Sequence, residues 1–405
     1  MESSHPSAEN TAGPKDSPLQ VTPLYSAHQE LGAKFTAFAG WQMPVQYEKT
    51  LTEHRAVRSG AGLFDIAHMG LISLSSGNDQ AEGAFQFLEG LLPRDLSKLK
   101  PGKAVYTQLL THDAGIIDDI ILYKTPENME FDRLFGHYFL VCNAANAQTV
   151  LDWLKKQLQE RKDTGNAAGL LQSVTISDLR DQFGLLALQG PKFADILARV
   201  GYQTDNMPSR FWVKPAVIED MPLLVSRTGY TGEDGVELIV QRGQLLKLWQ
   251  RLLTLGKPYN VKPIGLAARD TLRLEAAYPL HGNDIGLNDT PIEAGLTWSL
   301  HVNKSVPYVG EAVLKHQYQV GVEKKLYGFV INHKMIARQG DIIYKNSRPV
   351  GSVTSGSISP VLNLPIGLGY ITLPIPLQPG DIVEIECRNK RVAAEIVEKP
   401  FYQKT

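Results

Sequence analysis

Residues 223–240 read LLVSRTGYTGEDGVELIV, two apolar runs separated by Thr231, Gly232, Glu233, Asp234 and Gly235. Turn-forming residues between apolar runs predict a strand–loop–strand hairpin. On the return strand Val236, Leu238 and Val240 share one face and Glu237 shares the other with Ile239, since successive strand residues point to opposite sides. A carboxylate beside isoleucine on a strand sits either at a wetted sheet edge or in a pocket. Tyr230 precedes Glu237 across the loop, so the two can line one concavity.

A second stretch repeats the theme. Residues 104–110 (AVYTQLL) predict a strand, His112, Asp113, Ala114 and Gly115 a turn, and 116–124 (IIDDIILYK) a return strand with two adjacent aspartates. Adjacent residues face opposite ways, so one of Asp118 and Asp119 points at whatever the sheet packs on. Tyr106 and Tyr123 accompany Asp119 as Tyr230 accompanies Glu237. A carboxylate in a partly apolar site needs hydrogen-bond donors, or desolvation neutralises it. A flat heterocycle with a donor edge supplies stacking area for tyrosines and paired N–H groups for a carboxylate. Arg269, on a helix predicted over 264–277 with Arg273 one turn later, can meet an anionic end or an oxygen of the same ligand. Arg273 and Glu275 themselves read as a helix-surface or interdomain pair.

Outward from these hairpins, helical spacing recurs over 24–31, 53–59, 79–92, 147–159, 193–200 and 245–255, with strands over 35–41 and 138–144 and a strand-rich segment over 175–188. After Leu326 the texture changes to short strands (LYGFVI, DIIY, PVGSVTS, GLGYIT, DIVEIEC, RVAAEIV) parted by Gly, Pro and Asn turns. That pattern predicts an all-β barrel or sandwich over 326–405, with 301–325 as linker. Residues 1–20 are polar, without an apolar signal core or an Arg-rich amphipathic pattern, and predict a disordered tail on a cytoplasmic protein. A trimmed mature form in the mitochondrial matrix would look the same.

Several chemistries are excluded. A formal charge of −1 gives no basic field for nucleic acid or an anionic membrane, and no apolar run approaches the length of a membrane span. Cys142 and Cys387 lie far apart and form no CxxC. There is no phosphate-binding GxxxxGK[ST], no HExxH and no GxSxG, and Gly60-x-Gly62 lacks a third glycine. No metal is expected. His54 and His68 have no partner pattern and read as structural.

GWQMPVQY, GLFDIAHMG, GIIDDIILY, ALQGP, RTGYTGEDGVEL and GLAARDTLRLEA follow one another in this order. Together with VGSVTSGSISP, LGY, PGD, VEI and KPFY near the C-terminus, they make the chain resemble the aminomethyltransferases (T-proteins) of the glycine cleavage system. The resemblance runs from about Thr22 to Tyr402. It implies a three-lobed α+β fold, a cloverleaf of two interleaved folate-binding α+β lobes plus a C-terminal β-barrel. It also implies transfer of a one-carbon unit from an aminomethyl-lipoyl carrier (H-protein) to tetrahydrofolate, with ammonia released and no flavin used. Carried over by motif, Asp119 is the catalytic carboxylate beside the folate N5/N10 region, and Glu237 grips the amino and ring N–H donors of the pterin. Tyr106, Tyr123, Asn143, Tyr230 and Arg269 line the folate site. Tyr402 either reaches the folate from the last lobe or packs in the ordinary way. The chain departs from the family at Ala67, commonly Ser, and at Ala114, often Gly. Related folate enzymes that demethylate sarcosine or dimethylglycine, and a folate-binding protein of iron–sulfur maintenance, are the rival readings. The missing dinucleotide fingerprint counts against the first, and the retained DGVE and GIIDDI against the second.

Overall fold

A computed structural model describes residues 18–77, 81–127, 132–163, 168–372, 374 and 376–404. Most of the expected N-terminal tail therefore lies outside the described residues. Gln20, the last residue of that stretch, bonds the backbone of Gly40 and Gln42.

Two sheets packed face to face carry the first part of the chain. The first runs in the order Val213–Ile218, Met221–Ser226, Gly235–Gln241, Phe183–Gln189, Ala61–Asp65, Val261–Pro263, antiparallel except for the last pair. The second runs Ala104–Leu110, Ile116–Lys124, Tyr138–Cys142, Gly70–Ser76, Val174–Asp178, antiparallel throughout. Ala61–Asp65 of the first sheet precedes all five strands of the second, and the other five strands of the first follow them, so the two lobes interleave by insertion of the second into the first.

Alternation along each strand decides the layers. Val236, Leu238 and Val240 pack on the helices Phe193–Arg199 and Leu245–Gly256, whereas Ile239 faces the other way and meets Tyr123, Phe139 and Leu71 of the second sheet. In the second sheet Ile120 and Leu122 pack on the helices Glu82–Glu89 and Ala147–Asp163. The result is helices, sheet, sheet, helices, with the carboxylate-bearing strand faces turned towards the middle. The helix Leu266–Glu275 adds Ala268 and Leu272 to that middle layer.

Lys324–Ile331, Leu364–Thr372, Arg348–Ser359, Ile342–Lys345, Ile382–Cys387 and Lys390–Val397 form a closed barrel, the last strand pairing with the first. The stretch before it contains a helix, Glu311–Val320. Among the described residues no helix is long and apolar enough to cross a membrane.

One local expectation changes. Residues 35–41 are not one strand but parts of two, Lys34–Phe38 and Trp41–Gln46, folded about Ala39 and Gly40 at φ +52° and +79°. Gly62 lies inside the buried strand Ala61–Asp65, where an added Cβ would sit 2.5 Å from Val57 and 2.6 Å from Ile264. Close packing, rather than a phosphate loop, accounts for that glycine.

Candidate functional site

In the hairpin of the second sheet Leu109 stands opposite Asp118 and Gln108 opposite Asp119. Asp119 therefore shares the inward face with Ile121 and Tyr123, and Asp118 shares the helix-facing side with Ile120. The next strand pairs only from Ile121 onward, so both aspartates lie past the end of that ladder. Asn143 fills the open edge. Its backbone N–H donates to Asp118 Oδ2 at 2.9 Å, and its side-chain amide donates to Asp118 Oδ1 and to Asp119 Oδ1, both at 2.8 Å. Tyr106 completes the set by donating its hydroxyl to Asp119 Oδ2 at 3.0 Å. Trp298, largely exposed, stacks on Tyr106 with centroids 5.4 Å apart.

The turn of this hairpin is tight against the rest of the chain. A Cβ on Gly115 would lie 2.0 Å from the Leu287 carbonyl oxygen. Ala114, where the family often has glycine, is held at φ +61°, a conformation that costs about 1–2 kcal/mol for an L-residue.

Burial and the neighbouring Asp119 charge push Asp118 up to about 8, against the bonds from Asn146 and Asn143. Burial also raises Asp119, opposed by His281, Tyr106 and Asn143. Two adjacent carboxyls in one desolvated site hold a proton to higher pH than either would alone. Burial raises the Tyr106, Tyr123 and Tyr230 phenols as well, keeping all three as donors.

In the first sheet Glu237 stands opposite Ser226 and Ala187, on the side turned to the second sheet. Thr228 Oγ1 donates to Glu237 Oε2 at 2.5 Å. Tyr123 reaches across from the second sheet: its hydroxyl accepts from Ser226 Oγ at 3.0 Å and lies 3.2 Å from Thr228 Oγ1. Burial raises the Glu237 pKa, with Thr228 and Arg269 opposing. The Arg269 guanidinium lies 5.0 Å from the Tyr230 ring centroid and has no hydrogen-bond or ion-pair partner among the described residues. Burial makes its charge costly, and the pKa falls below the ordinary arginine value. Tyr230 donates its hydroxyl to the Pro279 carbonyl at 2.5 Å and feels the charges of both Asp119 and Arg269. Tyr230 is thus the side chain about which the two carboxylate clusters meet.

Of the sequence-derived candidates, Asp119, Tyr106 and Asn143 form one cluster. Glu237, Tyr230 and Arg269 form the other, and Tyr123 bridges towards it rather than towards Asp119. Tyr402 stands apart, with its hydroxyl on Glu233 Oε1 at 2.8 Å and its ring under the Arg58 guanidinium.

His54 and Glu275 belong to that same junction. Glu275 faces His54 Nε2 at 3.1 Å and accepts from Arg58 at 2.8 Å and from Ser359 at 2.5 Å. Burial opposes its ionisation, yet His54, Ser359 and Arg58 together pull it down to about 2. Arg273 pairs with Asp284 at 2.6 Å and donates to Ser355 at 2.8 Å. Arg273 and Glu275 are therefore interdomain groups, both buried and bound to different partners instead of each other.

His68, between the strands Ala61–Asp65 and Gly70–Ser76, is buried with Nδ1 unpartnered and is pushed down to about 4 by burial. Sequence reasoning passed over Thr228, Asn146 and His281. Thr228 was inside the decisive stretch, but nothing local marks a threonine as donor to a residue nine positions on.

Comparison with known proteins gives consistent answers along the chain. Residues 24–304 match the GCVT N-terminal domain, and residues 324–403 match the glycine cleavage T-protein C-terminal barrel domain. An aminomethyltransferase of Caldanaerobacter subterraneus subsp. tengcongensis is 41% identical over 387 residues, 95% of this chain and 96% of its own. One of Bacillus subtilis is 38% identical over 387 residues, 95% of this chain and 100% of its own. The crystal structure of glycine cleavage system aminomethyltransferase T from Bartonella henselae superposes with a TM-score of 0.83 at 35% identity, covering 95% of this chain and 98% of that one. With family domains matching on both sides of the barrel junction and relatives aligned almost end to end, the chain belongs to the glycine cleavage T-protein family.

Proposed function

We propose that the chain is a tetrahydrofolate-dependent aminomethyltransferase that takes its substrate from the lipoyl arm of an H-protein carrier, in the cytoplasm. The observation that carries the reading is the contrast at the site: Asp119 on one sheet, held by a donor on each oxygen, and Glu237 on the facing sheet with the helix-borne Arg269 beside it, both with bonds left open. The open pair suits folate. Glu237 Oε1 has no donor and Arg269 no acceptor among the described residues, and a pterin offers a row of N–H donors beside a ring oxygen. Tyr230 and Tyr123 supply aromatic surface between the two clusters.

Tetrahydrofolate contributes the two amine nitrogens, N5 and N10, that receive the one-carbon unit. In the balanced reaction the aminomethyl-lipoyl carrier and tetrahydrofolate give dihydrolipoyl carrier, ammonia and 5,10-methylenetetrahydrofolate. Two N–H protons leave the folate, one ending on sulfur and one on nitrogen. Asp119 orients a folate amine by accepting its hydrogen bond and faces the positive charge that grows on the transferred carbon as ammonia departs. Positioning of this kind lowers a barrier by about 7 kcal/mol in favourable systems, and a carboxylate fixed beforehand needs no reorganisation when charge appears. Asn143 and Tyr106 supply that fixation, leaving Asp119 little rotational freedom.

Incubation with tetrahydrofolate and an aminomethylated carrier tests the reading directly. Ammonia and methylenetetrahydrofolate are expected in equal amounts. Demethylation of sarcosine or dimethylglycine instead, or folate binding without product, would replace it by one of the rival readings.

A further inference from the structure

His281 closes a hydrogen-bonded line that ends on Asp119. Its Nε2–H donates to the Ile116 carbonyl at 3.2 Å, and its Nδ1 accepts from Asn146 Nδ2 at 2.9 Å. The same Asn146 nitrogen donates to Asp118 Oδ1 at 2.8 Å. Asp118 Oδ1 also accepts from Asn143 Nδ2, which in turn donates to Asp119 Oδ1, each at 2.8 Å. Both asparagine nitrogens face acceptors only, which fixes the two amide orientations. The nearest acceptors account for the two hydrogens on each nitrogen.

We infer that His281 is a positioning residue for Asp119, acting through Asn146, Asp118 and Asn143. The inference rests on the reading of Asp119 as the carboxylate at the reacting centre. The geometry separates His281 from a mere filler. Asp118 is a buried carboxyl whose oxygens take their donors from Asn143 and Asn146, and a buried acceptor deprived of its donor costs free energy. Asn146 Nδ2 sits between Asp118 Oδ1 and His281 Nδ1, with the Ile117 carbonyl a longer third acceptor at 3.2 Å. Without His281 Nδ1 the amide turns towards that carbonyl, its bond to Asp118 weakens, and the Asn143 amide shared between the two aspartates shifts towards Asp118 and away from Asp119.

The loop that presents His281 is anchored from behind. Asp284 accepts from the Leu280 N–H at 2.9 Å, from Arg273 at 2.6 Å and from Thr354 of the barrel at 2.5 Å. On its other side the Pro279 carbonyl receives the Tyr230 hydroxyl. One short loop therefore touches both carboxylate clusters, gripping Tyr230 at Pro279 and the aspartates at His281.

Three full-length variants test this in the aminomethyl-transfer assay, each with tetrahydrofolate Kd measured alongside. His281→Phe removes the acceptor. Leaving a buried donor and acceptor poorly satisfied along the line predicts a kcat about 10–100-fold lower, with folate Kd unchanged. His281→Gln restores an acceptor for Asn146 and a donor for Ile116, and recovers most of that loss. Asn146→Ala cuts the line one link further on and should match His281→Phe, which keeps the test decisive if the phenylalanine variant does not fold. Wild-type turnover in both breaking variants would overturn the inference. So would a glutamine variant as impaired as the phenylalanine one, or a loss appearing in Kd rather than kcat. If the wild-type protein itself transfers no aminomethyl group, the functional reading fails instead, and the two failures are distinct.

Discussion

Asp119 has both carboxylate oxygens engaged within the chain, Oδ1 by Asn143 and Oδ2 by Tyr106, whereas among the described residues Glu237 has one donor, Thr228, and beside it an arginine with no acceptor. Both side chains are acidic, both lie on hairpin strands of facing sheets, and burial raises the pKa of both. Their surroundings differ because a group that must hold a reacting atom in place gains from being immobilised beforehand, while a group that must recognise a ligand gains from bonds left unmade. On the proposed reading a buried carboxylate is thus put to two uses by the number of neighbours that satisfy it.

The sharpest way to break this contrast is Asp119→Asn, which keeps shape and removes charge. Turnover should fall about 10²–10³-fold, with tetrahydrofolate Kd close to wild type by isothermal titration. Near-normal turnover would leave Asp119 no special part. Glu237→Ala should act on the other quantity, raising the folate Kd about 10–100-fold by leaving pterin donors unpaired. Unchanged affinity would show that the open valence at Glu237 is not where the ligand binds.

Acidity sharpens the point further. On the proposed reading Glu237 accepts pterin donors only when ionised, and its folded pKa lies above the ordinary glutamate value. Binding is therefore full above that raised pKa and is lost as pH falls through it, with Kd rising about tenfold per pH unit below. The step should vanish in Glu237→Gln, and its persistence there would assign it to another group. Smallest is Thr228→Val, which deletes the one donor to Glu237 among the described residues. We expect a Kd about 3–10-fold higher and an acid step moved to higher pH; no movement would mean that Thr228 does not tune the carboxylate.

The hairpins were legible because their signal is local. Turn residues between apolar runs marked the loops, and the twofold alternation said which side chains shared a face with Ile239 or Ile121. The hairpin at Ala39 and Gly40 escaped because an alanine at positive φ carries no turn signature, so 35–41 read as one strand. The networks escaped for a different reason. Arg58 meets Glu275, and Thr22 meets Asp65, through contacts between segments far apart in sequence, and periodicity says nothing about which distant segments meet. Asp118 shows the limit most clearly. Its alternation from Asp119 was readable, but its bond to Asn146, and through it to His281, depends on where a separate loop returns. What the family motif added was the choice between the two aspartates, which strand geometry alone left open.

The helix Leu266–Glu275 holds Arg269 over the Tyr230 ring while Arg273 and Glu275 are tied to Ser355 and Ser359 of the barrel. The last lobe is consequently no detachable accessory. Cutting it away would strip two buried charges of their barrel partners in the helix that carries Arg269, so on the proposed reading trimming this module would be felt as loss of folate binding and of the fold together.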